Sequence, residues 1–172
     1  FHAPLIATTP GLRLTAIVTS DPERRSDALA AYPDVEIVPG VDGLWPLGLD
    51  LVVVASPNNT HVPLALSALD AGAAVVVDKP LAITSADGRA LVSHAQERGL
   101  LLSVFQNRRW DGDFRTVAQL IEAGRLGSVQ RFESRFERWR PQLKGGWREL
   151  GDRSEGSGLL YDLGSHLVLG RL

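Results

Sequence analysis

Apolar residues along this chain fall into short unbroken runs, separated by longer stretches in which they recur on one helical face. The runs are Leu12–Thr19 (LRLTAIVT), Val35–Val38, Leu49–Ala55 (LDLVVVA), Ala73–Val77 and Leu100–Phe105. Short runs of continuous apolar character predict strands buried on both faces, as in a parallel sheet. Helix punctuation fills the gaps. Asp21 stands as N-cap ahead of Pro22, at the first helical position of an alanine-rich stretch reaching about Ala31. Thr60–Ala71 reads as a helix with Pro63 tolerated in its first turn and Gly72 as its stop, and Ser85–Arg98 as another ending at Gly99. A brief helical turn is expected around Val41–Leu47. Strands alternating with helices at this spacing predict an α/β fold with a doubly wound parallel sheet. Right-handed crossovers would bring all the strand-end loops to one edge.

The pattern changes after Val104. Gln106–Asp111 (QNRRWD) is polar and aromatic, and Asp113–Ala123 is an amphipathic helix that stops at Gly124. Val129–Arg138 (VQRFESRFER) alternates apolar with charged or polar residues, the period of a half-exposed strand in an antiparallel sheet. Lys144–Gly158 reads as a loop, and Leu160–Leu172 as the start of a buried helix. We therefore divide the chain into residues 1–105, the doubly wound unit, and residues 106–172, the beginning of an α+β domain with a mostly antiparallel sheet.

Composition narrows the functional classes. With 44% hydrophobic residues in 172, the chain can bury a real core. A net charge of -2 offers no electrostatic footprint for nucleic acid or an anionic membrane. No apolar run is long enough to span a bilayer. The absence of cysteine removes disulfide and thiolate chemistry and fits a cytoplasmic location. No methionine occurs either, so the expectation is a piece of a longer protein.

Four places carry candidate chemistry. Val75-Val76-Val77-Asp78-Lys79-Pro80 delivers a lysine at the end of an apolar strand, where proline blocks continuation. Ligands of open α/β sheets bind at the carboxyl ends of the strands, so Lys79 could polarise a substrate oxygen or carry a proton. Ser56-Pro57-Asn58-Asn59-Thr60-His61 follows another buried strand and opens a helix, whose free N–H groups favour a cofactor's polar groups; ordinary capping by Asn59 or Thr60 explains the same residues. Thr19 and Ser20 lie at a strand tip with Arg24 just beyond. In a dinucleotide fold, hydroxyls with a nearby arginine suit a ribose 2′-phosphate, whereas an acidic residue would select the free hydroxyl. Asp162 and His166 are four apart in YDLGSH and would share a helical face, a carboxylate orienting an imidazole for general base work; a core histidine beside a capping aspartate is the structural alternative. Arg108, Arg109, Trp147 and Arg148 add guanidinium and indole groups near the domain boundary, and Trp147-Arg148 could close over a bound ring. No metal is expected.

The order SPNNTH, VVVDKP, SVFQNRRWDGDF, KGGWREL and LLYDLGSH resembles the Gfo/Idh/MocA oxidoreductases, and among them the NADP-dependent scyllo-inositol dehydrogenase-like branch. The resemblance runs over essentially the whole chain, and its Lys-Pro and D-x-G-x-H motifs are specific as a pair. It implies a Rossmann-like dinucleotide domain, NADP as cofactor with NAD as the alternative, and hydride transfer to or from a secondary hydroxyl of a polyol, inositol or sugar-like substrate. Lys79 would hydrogen-bond the reacting hydroxyl, His166 would exchange its proton, and Asp162 would position substrate and histidine. Asn58, His61 and Trp147 would line the cofactor, with Pro57, Asp78, Asn107 and Arg148 on the same side. A homo-oligomer, dimer or tetramer, and a cis Lys79–Pro80 peptide are further implications. The chain departs from the family pattern in three respects. The glycine-rich G-x-G-x-x-G turn and its strand are expected ahead of Phe1, Gln106 stands where the branch often has histidine, and no acidic residue follows closely after His166. A non-catalytic nucleotide-binding or dimerising member of the family is the alternative function.

Overall fold

The computed structural model describes residues 1–137, 139, 141–142, 145–146, 149 and 151–169, the last two of these as backbone only. Five parallel strands form. β1 (Ala16–Val18) pairs with β2 (Glu36–Val38), and β3 (Leu51–Val54), β4 (Ala74–Asp78) and β5 (Leu102–Phe105) pair in that order. Register sets Val75 between Val52 and Leu102, and Val77 between Val54 and Val104. The helices are α1 (His2–Thr8), α2 (Pro22–Ala31), α3 (His61–Asp70), α4 (Ser85–Glu97), α5 (Gly112–Glu122) and α6 (Ser165–Leu169).

Sequence punctuation builds these elements as expected. Asp21 accepts hydrogen bonds from the Glu23 and Arg24 amides at 2.9 and 3.1 Å, and Pro22 opens α2. Thr84 caps α4 by accepting from the Asp87 amide at 3.1 Å. α3 stops because Gly72 adopts φ +86, which lets the Ala73 amide turn back to the Ala68 carbonyl at 3.0 Å. The core lies between β4 and the helices: Val75 and Val77 are fully buried against Ala65, Ala68 and Leu69 of α3 and Leu91 and Ala95 of α4. β4 is thereby the best-held strand, and its carboxyl end is the most firmly placed point on the sheet edge.

The parallel α/β architecture is present, with differences in detail. No ladder joins β1 to β3 among the described residues; a cavity of about 650 Å³ separates them, lined from both sides by Ala16, Val18, Leu51 and Val53. The strand expected over Leu12–Thr19 shrinks to three residues because β2 is its one partner and supplies only three. Val129–Arg138 forms no strand over residues 129–137, and Arg138 lies outside the described residues. A half-exposed strand requires a neighbour for its backbone groups, and no strand follows Phe105 among the described residues. The helix expected from Leu160 starts as a wide π-type turn over Leu160–Gly164 before α6, with residues 170–172 outside the description. α1 was not evident from the sequence pattern, being only seven residues long with Pro4 in its first turn.

Candidate active site

β4 ends at Asp78, and Lys79 follows it onto the carboxyl edge. The Lys79 side chain is 17% exposed. Its Nζ donates to the Asp162 backbone carbonyl at 2.5 Å and to Asp162 Oδ1 at 2.9 Å. A contact spanning 83 residues of sequence thus brings together the two motifs singled out in the sequence. Asp162 sits in the π-type turn and His166 in the first turn of α6, so the two do not share one regular α-helical face as expected. They still interact electrostatically. Burial pushes the His166 imidazole below its ordinary value, the positive charges of Lys79 and Arg108 push the same way, and Asp162 and Asp111 oppose them. His166 is therefore neutral near pH 7, in the form that accepts a proton. Its Nδ1 is buried without a hydrogen-bond partner among the described residues. The Lys79–Pro80 peptide is cis, as the resemblance implied.

His61 is fully buried, with Nδ1 2.7 Å from the Pro80 carbonyl and Nε2 2.9 Å from the Ser56 carbonyl. It ties the SPNN loop to the Lys79–Pro80 turn. Asn58 is also buried, and its Nδ2 donates to the Gly156 carbonyl at 2.8 Å. Pro57 is exposed, and its carbonyl accepts from the Thr60 amide and hydroxyl at 2.9 and 2.7 Å. Asp78 Oδ1 lies 2.8 Å from His2 Nε2, and His2 packs edge-on against Phe105 at 4.7 Å. Neither His2 nor Gly156 was singled out in the sequence. A helix only seven residues long hid the first, and a contact 98 residues away in sequence hid the second.

At the tip of β1, Thr19 Oγ1 accepts from the Asp21 amide at 3.2 Å, and Ser20 is exposed. Arg24 is 81% exposed and only 3.9 Å from Asp21, a contact too loose and wet to hold it, so its guanidinium is available to a phosphate. Asn107 is half-buried in a short 3₁₀ turn after β5. Beside it, Arg108 Nη1 donates to Asp111 at 2.8 Å, and its guanidinium stacks 5.1 Å from the Phe136 ring. Trp147 and Arg148 lie outside the described residues. No group of three or more His, Cys, Asp or Glu that could hold a metal occurs among the described residues.

The parallel α/β sheet thus carries a lysine and a carboxylate at its carboxyl edge, with an imidazole near enough to feel both charges, and the class follows from its relatives. Residues 1–106 match the oxidoreductase family with an NAD-binding Rossmann fold, and residues 114–169 match the Gfo/Idh/MocA C-terminal domain. The chain belongs to the Gfo/Idh/MocA oxidoreductase family. It is 48% identical over 169 residues to the uncharacterized oxidoreductase YdgJ of Escherichia coli K12, covering 98% of this chain and 47% of that protein. It is 35% identical over 169 residues to the scyllo-inositol 2-dehydrogenase (NADP(+)) IolW of Bacillus subtilis 168, covering 98% and 46%. Among solved structures, an NAD-binding protein from Listeria innocua superposes with a TM-score of 0.88 at 32% identity, covering 98% of this chain and 49% of that one. The chain spans about half the length of the curated relatives it matches. No helix among the described residues is long and apolar enough to cross a membrane.

Proposed function

We propose that the full-length protein is an NADP(H)-dependent oxidoreductase that interconverts a secondary alcohol and a ketone on a polyol, inositol or sugar-like substrate. The observation that carries this reading is the Lys79–Asp162 pair at the end of β4, with a neutral His166 beside it. Bound nicotinamide would supply hydride transfer, and the residues present fit such a cofactor: the half-buried Thr19 hydroxyl, the exposed Ser20 and an Arg24 only loosely paired with Asp21 suit the 2′-phosphate. Lys79 would donate a hydrogen bond to the reacting oxygen and stabilise negative charge developing there. His166 would take the hydroxyl proton in oxidation and return it in reduction. Asp162 would hold the Lys79 ammonium in place through the two contacts above. That the Bacillus relative is a scyllo-inositol 2-dehydrogenase (NADP(+)) supports both the substrate class and NADP.

The full-length protein is expected to reduce NADP⁺ in the presence of scyllo-inositol or a related polyol, and to prefer NADP⁺ over NAD⁺. Arg24→Ala should erase roughly 10- to 100-fold of that preference, the scale of one charge-assisted hydrogen bond. A parental preference for NAD⁺ contradicts the Thr19, Ser20 and Arg24 assignment. Cofactor binding without turnover on a polyol panel favours a non-catalytic member.

His166 also sets a pH expectation. Because its folded-state pKa is depressed, protonation is harder in the native protein than in an unfolded chain. The acid limb of kcat/KM for alcohol oxidation should fall below the ordinary imidazole value of about 6.5. An acid limb centred above that value contradicts His166 as the base.

A further inference from the structure

The segment that carries Asp162 and His166 reaches the sheet edge through a short loop, and that loop is locked at one point. Asn58, 7% exposed, donates its amide to the carbonyl of Gly156, 98 residues away in sequence and itself buried. Gly156 is required there for two separate reasons. Its φ of +71 belongs to the left-handed region that disfavours side chains, and an added Cβ would meet Ile83 Cγ1 at 3.0 Å and Asn58 Cβ at 3.1 Å. The turn before it is fixed as well: Asp152 accepts from the Ser154 amide at 2.7 Å, and Glu155 reaches back to the Asp152 amide at 3.2 Å. A buried amide aimed at a buried carbonyl, with a glycine that admits the close approach, is costly to disrupt on either side.

We propose that the Asn58–Gly156 hydrogen bond is a latch that seats the Asp162–His166 segment over Lys79, and that Asn58 is a positioning residue for the reaction, not a cofactor ligand. The inference rests on the functional reading above. Asn58 occupies the loop after β3, next to the strand that ends in Lys79, while Gly156 lies six residues before Asp162. The latch and the Lys79–Asp162 contact therefore hold the same segment at two points, one on each neighbouring strand. Tyr161 adds a third, weaker one, its hydroxyl donating to the Ile83 carbonyl at 3.4 Å.

The test uses the full-length protein and three variants: Asn58→Ala, Asn58→Asp, which keeps the size but removes the donor, and Gly156→Ala. With the polyol and NADP⁺, kcat should fall roughly 10-fold or more in each, the scale of one buried hydrogen bond lost with its partner left unpaired, while the KM for NADP⁺ stays near the parental value. The acid limb of the pH profile should move up, because a released His166 regains water and leaves the positive charges of Lys79 and Arg108, which outweighs the loss of Asp162 and Asp111. The Asn58→Ala, Gly156→Ala double variant should lose less kcat than the product of the two single losses, since both release the same contact, with Gly156→Ala adding the strain of its left-handed turn. A raised KM for NADP⁺ with kcat and the acid limb unchanged would overturn the proposal and return Asn58 to the cofactor. If the parental protein turns over no polyol, the functional reading fails and the latch is still read by amide hydrogen exchange. Residues 152–166 should then exchange faster in Asn58→Asp than in the parent, and unchanged protection would sink the latch itself.

Discussion

Replacing Lys79 by alanine in the full-length protein is expected to lower turnover by about 10²- to 10³-fold, the usual worth of a donor that stabilises charge on a reacting oxygen. The expectation follows from where the side chain sits. β4 is anchored by fully buried Val75 and Val77, so the strand delivers its terminal lysine to a fixed place on the carboxyl edge. The ammonium is 17% exposed and held by two oxygens of Asp162, which leaves a third N–H for a substrate oxygen. Folding should be nearly indifferent to the change. Asp162 is 41% exposed, and a pair so open to water contributes about 1 kcal/mol or less. Steady-state kcat together with the thermal unfolding midpoint separates the two effects. Near-parental turnover would remove Lys79 from the mechanism, and a collapsed midpoint would reassign it to structure.

The largest stability effect is expected at Leu91. It is fully buried on α4 and belongs to the cluster with Val75, Val77, Leu69 and Ala95 that supports the strand bearing Lys79. Leu91→Ala removes three carbons from a packed interior and leaves a cavity that rigid strands on one side cannot collapse to fill, a loss of about 2–5 kcal/mol. Urea unfolding of the full-length protein should show a lower midpoint of that size at unchanged slope. A loss under about 1 kcal/mol would mean that α4 relaxes onto the sheet more freely than its packing indicates. Turnover of the folded fraction should fall far less than in Lys79→Ala.

The sheet was legible because Val52–Val54 and Val75–Val77 are apolar on both faces, a pattern that only a covered strand can use. The helix start at Asp21 was equally plain, since capping is a local interaction written in adjacent residues. Lys79, Asp162 and His166 could be named singly, and their meeting was expected from family resemblance; the chemistry of the residues alone left a structural reading open for each. What the sequence concealed was long-range. The alternation of residues 129–137 records a preference for strand, but a strand also requires a partner. His61 and Asn58 were expected at the cofactor from family resemblance, and no local pattern announced their long-range bonds. Both bond to backbone carbonyls, of Pro80, Ser56 and Gly156. Nothing in a linear pattern distinguishes a side chain that faces the cleft from one that fastens its rim.

The most direct test of the central claim is a double-variant cycle on NADP⁺ reduction by scyllo-inositol in the full-length protein. Lys79→Ala, His166→Ala and the double variant are compared with the parent at one pH. If Lys79 and His166 act on one hydroxyl, each single variant loses about 10²-fold or more, and the double variant loses little beyond the worse single. Losses that multiply, or parental rates in either single variant, would show that the lysine at the end of β4 and the histidine of α6 do not serve one reaction.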